Sequence, residues 1–181
     1  MRLAAALFAA TLLAALGSTT ATAALKPGAT APGFTARASL GGKEFSYSLA
    51  DALKKGPVVL YFYPAAFTPG CTQEAHEFAE AVDKFAALGA SVIGVSADDI
   101  DVLSKFSVSE CRSKFPVAAD AEKDIMAAYD AVLPGKPEYA NRTSYVIAPN
   151  GEIIFEYTAL DPSGHVGNTL AAVEKWKAAQ K

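Results

Sequence analysis

Apolar residues along the chain recur with two different periods. Residues 57–63, Pro-Val-Val-Leu-Tyr-Phe-Tyr, are an unbroken β-branched and aromatic run, the pattern of a strand buried on both faces. Residues 90–97, "ASVIGVSA", read the same way. Between them Ala75, Phe78, Ala79, Val82, Phe85 and Ala86 are spaced by threes and fours, which predicts an amphipathic helix that stops at Gly89. Upstream, residues 25–53 mix turn residues with short alternating segments, and Gly41-Gly42 marks a hairpin. Downstream the pattern predicts a polar helix over about 98–110, a short strand in 115–120, a short helix in 121–130 and a loop at 134–139. "TSYVIAPNGEIIFEYTA" reads as a hairpin turning at Asn150-Gly151, and a last helix runs from about Ser163, carrying Leu170, Val173 and Trp176. The order is β-β-β-α-β-α-β-α-β-β-α. A βαβ-like middle and an antiparallel end imply an α/β fold, a mixed central sheet flanked by helices, in one domain. No repeat, linker or low-complexity tract interrupts it.

The first 23 residues do not share this pattern. One arginine, an apolar run from Leu3 to Leu16 and small residues ending in Ala21-Thr22-Ala23 form a secretory leader with an A-x-A cleavage site. The run is short for a membrane span; an uncleaved anchor or an organelle transit peptide is the alternative. The expected mature domain is 24–181, exported, in a bacterium to the periplasm. The full chain is 51% apolar, enough for a substantial core, and its net charge of −3, which becomes −4 once the leader's one arginine is removed, with scattered Lys and Arg, gives no basic field for nucleic acid or an anionic membrane.

Export matters for the two cysteines, Cys71 and Cys111. In an oxidising compartment such a pair commonly forms one structural disulfide. The surroundings of Cys71 point elsewhere. In Thr68-Pro69-Gly70-Cys71, Thr is a good helix N-cap and Pro is favoured at the first helical position, so Cys71 falls at the third. There it faces unsatisfied N–H groups and the positive end of the helix dipole, both of which favour thiolate. Positions 71, 75, 78, 82 and 85 share one stripe, so Cys71 faces inward, and Glu74 leans to the same side. An inward carboxylate needs a cationic or donor partner. Asp98, Asp99 and Asp101 read as an acidic helix start, and two histidines, His76 and His165, are too few for a zinc site.

Through Pro64, Thr68 and Cys71, "PAAFTPGC" resembles the peroxiredoxin active-site pattern Pro-x-x-x-Thr-x-x-Cys. The wider "YFYPAAFTPGCTQEAHEF", with "FPVAAD", "RTSYVIAPNGEI" and "GHV", resembles the peroxiredoxin Q (bacterioferritin comigratory protein) branch over nearly the whole mature chain. The resemblance implies a thioredoxin-like fold and reduction of hydrogen peroxide and organic hydroperoxides with no metal, haem, flavin or other cofactor. It casts Cys71 as the peroxidatic thiolate, Thr68 as a hydroxyl donor to thiolate and peroxide, and Pro64 as a shield. Arg142 would bring positive charge to the sulfur, and Glu74 would orient that arginine. The implied partner is a thioredoxin-like reductant, and a monomer is expected, with a homodimer as the alternative.

Many relatives carry a resolving cysteine five residues after the first, where this chain has His76, expected to be an exposed surface residue. Some instead place it in the next helix before an "FP" strand, which fits Cys111, four residues before Phe115. Cys111 would then close a disulfide onto oxidised Cys71. One-Cys chemistry resolved by an external thiol remains open, as do an exported thiol–disulfide oxidoreductase, against which Glu74 replaces the second cysteine of C-x-x-C, and a binding domain with a structural bridge.

Overall fold

The computed structural model describes residues 24–180; the leader read at 1–23 lies outside the described residues. The elements are β1 (Thr35–Leu40), β2 (Lys43–Ser48), α1 (Leu49–Leu53), β3 (Val58–Phe62), α2 (Pro69–Ala87), β4 (Ser91–Ser96), α3 (Ile100–Ser109), β5 (Val117–Ala119), α4 (Asp124–Ala128), β6 (Thr143–Ile147), β7 (Ile153–Thr158) and α5 (His165–Ala179). The sheet order is β2-β1-β5-β4-β3-β6-β7. Parallel β3, β4 and β5 form its middle. Antiparallel β6 pairs with β3 and antiparallel β1 with β5, and a hairpin completes each side. The mixed sheet follows the order expected from the sequence with one addition. Helix α1 spans only five residues, too few for a visible period, and is capped by Ser48 Oγ accepting the Asp51 N–H at 3.3 Å.

Strand β3 explains the two-sided core. Its side chains alternate. Val58, Leu60 and Phe62 join Leu49, Leu53, Met126, Tyr129 and Tyr145 on one face. Val59 and Tyr61, with Tyr63 beyond the strand end, join Phe78, Phe85, Leu103, Phe106 and Phe115 on the other. The second face is covered by α2 and α3, with Val173 of α5. Phe78 and Phe85 are fully buried, and each such side chain stabilises the packing by about 1.5–3 kcal/mol. They anchor the helix whose first turn carries Cys71.

The predicted stop of α2 is a Schellman end: Gly89, at φ +81°, donates its N–H to Ala86 O, and Ala90 N–H reaches back to Phe85 O at 2.9 Å. Ala86 itself is exposed and Ala81 is buried instead, because the inward stripe drifts as 3.6 residues per turn departs from strict threes and fours. The polar helix over 98–110 is shorter than expected, ending at Ser109 with Glu110 as its C-cap. Cys111 therefore lies in the loop after α3, not on the helix. Among the described residues no helix is long and apolar enough to cross a membrane.

Candidate active site

The turn from β3 into α2 is pinned from several sides. Tyr63 N–H donates to Val95 O at 3.1 Å. Asp98 accepts the Ala66 N–H at 2.8 Å and the Ser96 hydroxyl at 2.7 Å, so this acid holds the loop; Asp99 is the cap residue of α3. Phe67 takes the left-handed backbone, φ +62°, a conformation that is costly for a bulky residue, and its ring meets Phe106 edge-on at 5.2 Å. Pro64 opens this loop, half-buried. Thr68 is the N-cap residue and Pro69 follows at the first helical position, but the Thr68 side chain makes no cap bond. Its hydroxyl donates to Ala65 O at 3.0 Å. Cys71, at the third helical position, is 1% exposed.

Arg142 sits immediately before β6 and is 4% exposed. Its Nη2 donates to Cys71 Sγ at 3.5 Å, its Nη1 pairs with Glu74 Oε2, and its Nε donates to Leu160 O at 2.9 Å. The fork is thus held at three points. Gly70 makes room for it: a Cβ there would lie 3.1 Å from Nη2. Glu74 is fully buried. Burial pushes its carboxyl up to about 8, against the downward pull of Arg142. The inward lean read from the helical phase is therefore matched by a partner from a distant strand.

Cys111 is fully buried in the same apolar cluster as Cys71, Tyr61, Tyr63, Phe106 and Phe115, and both cysteines are free thiols. Burial, with the charge of Glu110, holds the Cys111 thiol well above its ordinary range. Its loop is tied to the outer face of α2 by the contact of His76 Nε2 with Glu110 at 2.9 Å and by two ion pairs, Glu80 with Arg112 at 3.0 Å and Asp83 with Lys114 at 3.7 Å. His76 is thus not a free surface histidine; its side chain is 37% exposed and engaged beside Cys111. Arg112 and Ser113 both adopt positive φ, 51° and 55°, so the loop closes on itself tightly.

In the sequence His165 is one of two histidines too few for a zinc site and stands in the "GHV" segment of the resemblance, with no role of its own. It is fully buried, 3.6 Å from Glu74 Oε1 through Nδ1. Ser144, whose Oγ lies 2.8 Å from His165 Nδ1, carries no sequence signal, and Gly70 reads in the sequence only as part of the helix start. Among the described residues no group of three or more His, Cys, Asp or Glu side chains could hold a metal ion. The arrangement that remains is a buried sulfur at a helix N-terminus with a guanidinium against it, suited to thiolate chemistry on a substrate that develops negative charge.

The model of the AhpC/TSA family matches residues 27–156, most of the chain. The chain belongs to the AhpC/TSA family. It is 35% identical over 154 residues to the chloroplastic peroxiredoxin Q of Oryza sativa subsp. japonica, covering 81% of this chain and 66% of the relative. It is 29% identical over 123 residues to peroxiredoxin Bcp of Xanthomonas campestris pv. campestris, covering 65% and 76%. Among solved structures, peroxidoxin BcpB from Mycobacterium tuberculosis superposes with a TM-score of 0.76 at 31% identity, over 83% of this chain and 97% of that one. The fold is therefore that of a peroxiredoxin, thioredoxin-like, and the chain is a thiol peroxidase. The matched residues of this peroxiredoxin include Cys71, Glu74, Cys111 and Arg142; His165 lies beyond them.

Proposed function

We propose that this peroxiredoxin reduces hydrogen peroxide and organic hydroperoxides with Cys71 as the peroxidatic thiolate and Cys111 as the resolving thiol. The observation that carries the reading is the Arg142 fork, one nitrogen on Cys71 Sγ and the other on Glu74. The Cys71 thiolate attacks one peroxide oxygen. An S–O bond forms, the O–O bond breaks, and the departing hydroxide or alkoxide takes a proton to leave as water or alcohol. Cys71 is left as a sulfenic acid. Arg142 and the first-turn N–H groups of α2 favour the negative charge before and during this step. Pro64 shields the nascent sulfenic acid, and Thr68 offers its hydroxyl to thiolate and substrate by turning away from Ala65 O. Glu74 holds the fork in place.

In the second step the Cys111 sulfur, as thiolate, attacks Cys71 sulfur and expels hydroxide, which is protonated to water, leaving one intramolecular disulfide. Bridging needs the two Cα atoms within about 7 Å, and the ion pairs that hold the Cys111 loop to α2 must open first. A thioredoxin-like dithiol then reopens the bond and is itself oxidised. The leader supports an exported, periplasmic setting. The burial and raised thiol of Cys111 favour a second reading, one-Cys chemistry resolved by an external thiol.

One titration separates these readings. The reduced protein is mixed with one equivalent of hydrogen peroxide, free thiols are counted over seconds, and the mass is measured. Loss of both thiols in a monomer with one disulfide is the expected result. Loss of one alone means external resolution, and loss of neither refutes the peroxidase assignment to Cys71. Cys71→Ser is expected to lose peroxide reduction entirely; residual activity within tenfold of wild type would reject its role.

A further inference from the structure

Behind Arg142 lies a buried group that the chemistry above does not use. His165 begins α5 and is fully buried. Its Nε2 is 2.9 Å from Ala159 O. A carbonyl only accepts, so Nε2 carries a hydrogen, and Nδ1 is the ring atom that can gain or lose one. Nδ1 sits 2.8 Å from Ser144 Oγ and 3.6 Å from Glu74 Oε1. Oε1 is the carboxyl oxygen that Arg142 leaves free, and it is buried with no hydrogen-bond partner. Of the two atoms only Oε1 is left unsatisfied; Nδ1 accepts the Ser144 hydroxyl hydrogen at 2.8 Å. A hydrogen on the carboxyl, aimed at Nδ1 as the Ser144 hydroxyl turns aside, satisfies Oε1.

We propose that His165 is a positioning residue of the active site, sharing one proton with Glu74 across the Nδ1–Oε1 gap and thereby fixing both the carboxyl's orientation and the net charge beside Cys71. The charge count gives the reason. With the proton present, whether as carboxylic acid and imidazole or as carboxylate and imidazolium, Arg142, Glu74 and His165 together carry one positive unit, which balances a Cys71 thiolate. Without it they sum to zero and the thiolate stands uncompensated.

The groups around the pair agree. Burial, and after it Arg142 just before β6, hold His165 below its ordinary range, against the Ala159 carbonyl and Asp161 in the loop before α5, which pull it up. Burial pushes Glu74 up to about 8, with Glu77 of the same helix adding to the rise. The proton therefore rests on the carboxyl. From β7, the Tyr157 ring closes over His165 edge-on at 4.8 Å.

The test has two parts. This inference rests on Cys71 being the peroxide-reactive thiol, so one part uses no peroxide. In the protein labelled with ring-15N histidine, only two histidines contribute. His165 is expected as the Nε2–H tautomer, with an Nδ1 resonance that moves as the shared proton is lost between pH 7 and pH 9, and Glu74→Gln removes that movement. A His165 resonance that titrates identically in Glu74→Gln overturns the proposal. The second part follows the rate of peroxide attack from pH 6 to pH 9.5. Wild type is expected to show a falling alkaline arm, and Glu74→Gln, which keeps one positive unit at every pH, a flat one. His165→Leu removes the acceptor for the carboxyl proton and moves the arm to lower pH; His165→Asn, whose amide oxygen can accept in place of Nδ1, moves it back toward wild type. An arm that stays in place in His165→Leu assigns that side chain to packing alone and overturns the proposal, as does a wild type with no arm.

Discussion

Gly70→Ala separates the two things that the start of α2 does. Gly70 occupies the second helical position, and its backbone is not left-handed. An alanine is therefore conformationally compatible, and replacing glycine there should raise stability by about 0.4–1 kcal/mol. The added methyl, however, would lie 3.1 Å from Arg142 Nη2 and 3.9 Å from Pro162 Cδ. Relief requires the guanidinium to retreat by a few tenths of an ångström, and a retreat from the helix start lengthens its 3.5 Å contact with Cys71 Sγ. At an effective dielectric of about 20, stretching that charge pair to about 3.9 Å weakens it by about 0.5 kcal/mol, or about twofold in rate. Losing the charge-assisted hydrogen bond outright would cost about 1.5–3 kcal/mol, tenfold or more. Leu160 O and Glu74 tether the fork, so it tilts and does not leave, and the expected fall lies between about twofold and tenfold. Stopped-flow mixing of reduced enzyme with limiting peroxide measures it, and thermal unfolding measures stability on the same sample. Activity should fall while the melting temperature holds or rises. An unchanged rate would mean that the Arg142 contact with sulfur does not govern attack. A large drop in melting temperature would mean that the helix, and not the arginine, gives way.

Other outcomes follow from the same geometry. Cys111→Ser should complete a single peroxide turnover and then stall at the sulfenic acid; unchanged multiple turnover with a thioredoxin-like dithiol would assign resolution to an external thiol. The pairs of Glu80 and Asp83 are exposed, each worth under about 1 kcal/mol, so Glu80→Gln with Asp83→Asn should speed alkylation of Cys111 only a few-fold, and high salt should do the same to wild type. A rate insensitive to both would show that these ties do not limit access to Cys111. Glu74 is raised from 4.5 to about 8 in the folded protein, so the folded state binds more protons than the unfolded one across that window, and this group's contribution to stability falls as pH rises through it. Glu74→Gln should flatten that fall in a series of melting temperatures; an unaltered slope would place the titration elsewhere.

The elements legible along the chain are those whose signal is local. The buried run of β3, the inward stripe of α2, the Asn150-Gly151 hairpin and the place of Cys71 in the first helical turn each follow from periods or caps spanning a few residues. Even the inward lean of Glu74 follows from helical phase. What that carboxyl meets does not. Arg142 reaches it because β6 runs antiparallel to β3 with Thr143 opposite Phe62, which brings the residue before β6 to the end of β3, where α2 begins. His165 arrives from α5, which packs on α2 and β6, so its partnership with Glu74 exists only once three elements have docked. The same holds for His76: its outward phase is plain in the sequence, but Glu110 comes to it only through the return of the chain after α3. Spacing along one helix is set by bond geometry and reads directly from the residues. Contacts between elements distant in sequence depend on strand register and helix packing, which are set by the burial of the whole core at once, and there the buried charges of this site find their partners.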